Sequence, residues 1–110
     1  MSSPARMDFE KTARCLAELG SPLRLRIFGL LVRAGHDGLT VGELRQMLGV
    51  PASTLAFHLR GMVEAGLVRQ ERQGREVRNR ADFDQLNSTL DYFRDECCKG
   101  VELPARRKRG

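Results

Sequence analysis

The chain has 110 residues, 41% of them hydrophobic and 30% charged, a balance that fits one soluble globular domain. Lys and Arg total 19 against 14 Asp and Glu, and the net charge of +5 favours a polyanionic partner, though basicity also serves solubility. No apolar run approaches the roughly 20 residues that cross a bilayer. Met1–Arg6 leads into a polar segment without a signal-peptide core, so a cytoplasmic protein with no membrane partner is expected.

The first helix is expected from about Asp8 to Leu19, with Phe9, Ala13, Leu16 and Ala17 on one face and Gly20 closing it. Ser21-Pro22 restarts a helix, Ser as N-cap and Pro in the first turn. Leu23, Leu25, Ile27, Phe28, Leu30, Leu31 and Val32 make that helix apolar almost all round, which predicts the buried centre of the domain. After a turn over Gly35–Gly38, Thr40 caps a short helix from Val41 to Leu48 with Glu43 in the capping-box position, and Gly49 ends it. Pro51–Ser53 open the next helix, which carries Leu55, Leu59, Met62 and Val63 inward and stops at Ala65-Gly66. Two short helices joined by Gly49-Val50-Pro51-Ala52 form a helix-turn-helix.

Leu67–Arg72 and Arg75–Arg80 alternate around Gln73-Gly74, the pattern of a β-hairpin. Asp82 begins a last helix in which Phe83, Leu86, Leu90, Phe93 and Cys97 recur at three and four, with Gly100 as its end. The expected fold is therefore mainly α with a small β-hairpin, a winged helix-turn-helix over residues 1–100. The basic tail 101–110, with Arg106-Arg107-Lys108-Arg109 after Pro104, is expected to be disordered.

The second helix of a helix-turn-helix enters the major groove of double-stranded DNA. Its outward residues here are Ser53, Thr54, Phe57, His58 and Arg60. Small hydroxyls allow close approach, and Arg60 reaches a phosphate or a guanine. His58 reads equally well as a packed histidine. The hairpin carries Arg69, Arg72, Arg75, Arg78 and Arg80 against Glu71 and Glu76. A basic hairpin directly after the recognition helix is a wing, with Arg72, Arg75 and Arg78 among its expected phosphate contacts. A charged edge that only resists aggregation is the duller reading of the hairpin alone.

Several stretches resemble ArsR/SmtB repressors. Leu19-Gly20-Ser21-Pro22-Leu23-Arg24-Leu25-Arg26-Ile27 is similar to the stretch that opens their second helix, and Ser53–Leu59 to their recognition helix. Glu64–Val68 is similar to the approach to their wing, and Gln73-Gly74-Arg75 and Arg78-Asn79-Arg80 to the wing tip and return strand. The resemblance spans Phe9 to Gly100. It implies a homodimer joined through the first and last helices, a palindromic operator, and release by an inducer. Ala52 and Ala56 stand where the family often has Gln and Ser, which bears on the bases read.

Three cysteines, Cys15, Cys97 and Cys98, are an odd number for a reducing compartment, so thiol, metalloid or redox chemistry is expected rather than a disulfide framework. The family's Cys-x-Cys arsenical site falls on Thr40 and Gly42 here, and the last helix has no His for the family's zinc site, with His36 and His58 elsewhere. Glu96-Cys97-Cys98-Lys99-Gly100 resembles a subgroup of arsenic-responsive repressors with adjacent cysteines at the end of the last helix.

Trivalent arsenic and antimony are soft and thiophilic. Two thiolates suit methylarsenic(III) and three suit inorganic arsenic(III), with Cys15 the only candidate third ligand, or else a small apolar filler. Lys99 is expected to favour the thiolate form. Cys97 also continues the apolar stripe, and on that reading it packs. No obligatory cofactor is expected. The rival signal is an oxidant or sulfane sulfur acting on the same thiols. A winged helix used only to bind protein is the other alternative. No phosphate loop, nucleophile–base pair or catalytic metal spacing marks an enzyme.

Overall fold

The computed structural model describes residues 4–104; the basic run 106–109 lies outside the described residues. Local signals set most element boundaries. Helix α1 spans Pro4–Glu18, and α2 spans Pro22–Ala34. Ser21 caps α2, its hydroxyl accepting from the Arg24 N–H at 3.5 Å. A 3-10 turn, Gly35–Asp37, leads into strand β1, Leu39–Thr40, and helix α3, Val41–Leu48. Thr40 and Glu43 form a full capping box. The Thr40 hydroxyl accepts the Glu43 N–H at 3.1 Å, and the Glu43 carboxylate accepts the Thr40 N–H at 2.8 Å. That backbone bond is the main reason the Glu43 carboxyl lies below its ordinary pKa, helped by the Thr40 hydroxyl and the Arg78 charge. Gly49 closes α3 in the left-handed conformation, and Pro51 precedes α4, Ala52–Glu64.

Strands β2, Val68–Gln73, and β3, Glu76–Ala81, form the hairpin, joined by Gly74-Arg75 with Gly74 at φ 65°. The sheet has three strands rather than two, in the order β1-β3-β2, all antiparallel. Leu39 and Thr40 pair with Asn79 and Arg78. A two-residue strand has no periodicity to read, so the sequence shows Thr40 only as a helix cap. In the central strand Asn79 is fully buried; its amide nitrogen donates to the Leu39 carbonyl at 3.2 Å and its oxygen accepts from the Gln70 amide at 2.8 Å.

Ile27 and Leu31 from α2, Leu44 from α3, Leu55, Leu59 and Met62 from α4, and Leu67 before β2 fill the core. The expectation that α2 is buried all round fails at Leu25, which is 56% exposed. Ile27, Phe28 and Leu31 form the inner stripe, and Leu25 lies about a third of a turn off it. Over residues 9–18 of α1 the buried side chains are Thr12 and Cys15, whereas Phe9, Ala13, Leu16 and Ala17 face outward from the protomer.

Asp82 caps the last helix, α5, Phe83–Glu96, by accepting the Gln85 N–H at 2.9 Å. Burial pushes the Asp82 carboxyl up, but the bonds from Gln85 and the Arg69 guanidinium outweigh it and leave its pKa lowered. The helix stops at Glu96, not Gly100. Cys97 is extended, at φ −56° and ψ 123°, and Cys98 and Gly100 have positive φ. Residues 93–104 are all exposed, so a further turn would gain nothing from tertiary packing, which supplies most helical stability.

Candidate nucleic-acid interface and thiol pair

Helix α4 sorts its side chains by the helical period. Leu55, Leu59 and Met62 hold it to the core, while Ser53, Ala56, Phe57 and Arg60 form its exposed face. Thr54 and His58 lie half-buried at the margins of that face. His58 is engaged within the protein. Its Nδ1 accepts from Arg24 Nε at 2.8 Å, so its ring proton is on Nε2. Arg24 also pairs with Glu18 at the end of α1, and its guanidinium lies 5.5 Å from the Phe57 ring centre. The ion pair passes against Gly61 of α4, where an added Cβ would come within 2.5 Å of the Glu18 carboxylate. Glu18, Arg24 and His58 thus tie the recognition helix to the α1–α2 corner.

The wing arginines divide into two sets. Arg69 donates to Asp82 at 2.9 Å. Arg78 donates to the Gln73 side chain at 2.9 Å and the Asp37 carbonyl at 3.0 Å. Arg80 donates to the His36 carbonyl at 2.8 Å and pairs with Glu71. These three fasten the ribbon to itself, to the 3-10 turn and to α5. Arg72 and Arg75 are exposed and, among the described residues, have no hydrogen-bond or ion-pair partner. With Arg60 they leave cationic groups available for phosphates on the α4–wing side of the protomer.

The three cysteines part company. Cys15 is fully buried in the core, with its thiol 3.5 Å from the Ala65 carbonyl. Cys97 and Cys98 are exposed, and their sulfurs lie 3.2 Å apart. Adjacent side chains diverge by about 100° on a helix. The pair converges here because it lies beyond the last turn, with Cys98 in the left-handed region at φ 64°. Hydrogen bonding to Cys98 raises the Cys97 pKa above its ordinary value. Lys99, expected to favour a thiolate, instead reaches the Glu96 carboxylate at 3.4 Å. Among the described residues no three His, Cys, Asp or Glu side chains gather as a metal site, so Cys15 does not join the pair within one protomer.

The helix-turn-helix domain family matches residues 19–71, which run from the end of α1 into the wing. The transcriptional repressor PagR of Bacillus anthracis is 34% identical over 71 residues, 64% of this chain and 69% of that protein. An ArsR-like transcriptional regulator from Rhodococcus sp. RHA1 superposes with a TM-score of 0.70 at 28% identity, covering 80% of each chain. The chain belongs to the ArsR family of transcriptional regulators. The HTH-type transcriptional regulator YgaV of Escherichia coli is 27% identical over 89 residues, 81% of this chain and 88% of that protein.

In this ArsR-family chain Glu18, Arg24, Asn79 and Gly38, which brace α4 and the wing, do not stand out in the sequence as structural parts of that side. The first three are polar residues whose partners lie on other elements, six residues away for Glu18 and Arg24, 34 for Arg24 and His58, and 40 for Asn79 and Leu39. Gly38 carried a readable signal, a glycine just before a strand. Its φ is +65°, and a Cβ there would come to 2.1 Å from the Asn79 carbonyl oxygen.

Proposed function

We propose that this ArsR-family regulator is a homodimeric repressor that holds palindromic operator DNA when ligand-free. Trivalent arsenic, inorganic or methylated, or antimony then releases it by binding Cys97 and Cys98. The observation that carries the inducer reading is the exposed pair of sulfurs 3.2 Å apart on the segment leaving α5. Two soft donors at that spacing suit one soft thiophilic centre. Loading is balanced without a redox partner. Each thiol proton leaves with a hydroxide of arsenic as water, so As(OH)3 and two thiols give one dithiolate–arsenic hydroxide and two waters. A methylarsenical keeps its carbon in the third position, which agrees with Cys15 standing in the core.

Homodimer formation is supported by the outward apolar faces. Phe9 and Leu16 of α1 and Leu90 and Phe93 of α5 are large exposed hydrophobics on helices that pack side by side, Phe9 meeting Tyr92 with ring centres 6.0 Å apart. A chelate closing just past α5 changes the backbone next to that face. It therefore biases the relative placement of the two wings, a two-state element with different DNA affinity in each state. Ser53, Phe57, Arg60, Arg72 and Arg75 face the DNA, Thr54 lies at the edge of that face, and His58 and Arg78 hold the reading surfaces in place.

Intact-mass measurement tests the site. The reduced protein takes one arsenic per chain from one equivalent of methylarsenite, and Cys97→Ser or Cys98→Ser takes none. An unchanged adduct in both variants refutes the site. A peroxide- or polysulfide-modified pair that takes no arsenical favours the rival thiol-oxidation reading.

A further inference from the structure

Phe57 is the one large apolar side chain on the exposed face of the recognition helix, and it is 58% exposed. A phenyl ring so exposed buries little apolar area for the fold, and its exposed neighbours on α4 are small or cationic. Ser53 is one turn before it, Ala56 beside it, and Arg60 almost one turn after it. That surroundings set allows close approach of a polyanion while leaving an apolar point at its centre. The ring is also held. The Arg24 guanidinium covers it at 5.5 Å, the His58 ring meets it edge-on at 5.3 Å, and Arg24 is fixed by Glu18 and His58. A ring restrained from two sides reaches a partner with little entropy left to lose.

We infer that Phe57 is a specificity-determining residue that reads the 5-methyl group of thymine in the major groove, with Arg24 as its positioning residue. The major-groove edge of thymine is the base edge that offers a methyl group, and apolar side chains recognise it by contact alone. The chain's net charge of +5 and the unpaired Arg72 and Arg75 of the wing bring the backbone to this surface but read no base. The inference rests on the proposed DNA-binding role, and not on the identity of the inducer.

The test separates the two. Random duplexes are selected on the reduced wild-type protein, and each thymine of the enriched half-site is replaced in turn by deoxyuridine, which removes only the methyl group. At one or more thymines, wild type binds the deoxyuridine duplex about fourfold more weakly, the worth of one buried methyl. Phe57→Ala binds the thymine and deoxyuridine duplexes alike at that position, and Phe57→Leu keeps part of the difference. Two results overturn the inference: no methyl dependence in wild type, or a Phe57→Ala variant that weakens every duplex while retaining the methyl dependence. The second result would make Phe57 only a cover for Arg24. A protein that enriches no duplex overturns the DNA-binding reading itself, and this inference with it.

Discussion

Removing the side chains of Arg72 and Arg75 tests how the wing uses its charge. Five arginines lie in or beside the hairpin, but Arg69, Arg78 and Arg80 are spent on Asp82, Gln73, the Asp37 and His36 carbonyls, and Glu71. On the proposed DNA-binding reading Arg72 and Arg75 take phosphates, which makes four such groups in a dimer. Each phosphate neutralised contributes about 0.9 to the slope of log K against log salt. The Arg72→Ala/Arg75→Ala double variant therefore lowers the slope magnitude by about 3.6. Between 50 and 200 mM salt, wild type then loses about 150-fold more affinity than the variant.

Arg78→Ala is the control, equal in charge to Arg72→Ala alone. It leaves the slope nearly unchanged and costs about 1 kcal/mol of stability through two lost, partly solvated hydrogen bonds. The assay is fluorescence anisotropy on one duplex over a salt series, with urea unfolding of each variant. Equal slope changes for Arg78→Ala and Arg72→Ala, or no change in the double variant, would refute the division into anchoring and DNA-facing arginines.

Gly38 and Gly49 share a φ near +65°, but only at Gly38 does an added Cβ meet backbone, at 2.1 Å from the Asn79 oxygen. Gly49→Ala should cost about 1–2 kcal/mol. Gly38→Ala should cost about 3–5 kcal/mol, from backbone strain plus loss of the β1 partner of buried Asn79, as read by urea midpoints at one protein concentration. Asp82 has a lowered folded-state pKa, so its stabilisation is present above its unfolded value near 3.9 and is lost as pH falls through the folded value. Asp82→Ala should accordingly be about 1 kcal/mol less stable than wild type at pH 7, with the gap closing as pH falls through the folded-state value of Asp82. Phe93→Asp, at a residue 56% exposed in the protomer, should convert a dimer of twice 12.4 kDa into monomer by light scattering without loss of helical signal.

The legibility of this chain follows the range of each interaction. Ser21, Thr40 with Glu43, and Gly49 act within four residues of themselves, and each marks the boundary it was expected to mark. The hairpin around Gly74 was likewise readable from alternation. Strand β1 was not, because its two residues become a strand only by pairing with Asn79 and Arg78 some 40 residues on. The end of α5 was misplaced because spacing puts Cys97 on the apolar stripe, whereas nothing packs on that turn in the protomer.

The outward face of α4 followed from its period. The duties of His58 and Arg78 did not, since a side chain's partner across the fold leaves no trace in local pattern. The cysteine pair was visible as chemistry, but the convergence of its sulfurs depends on the backbone leaving the helix one residue earlier.

The most direct test of the account is the release of the reduced protein from its own upstream DNA, followed by anisotropy while arsenite, methylarsenite, antimonite and zinc are titrated in parallel. Arsenicals and antimonite are expected to release wild type, zinc is not, and the Cys97→Ser/Cys98→Ser protein is expected to bind the same DNA and stay bound. A wild-type complex indifferent to every arsenical, or a double variant released as readily as wild type, would contradict it.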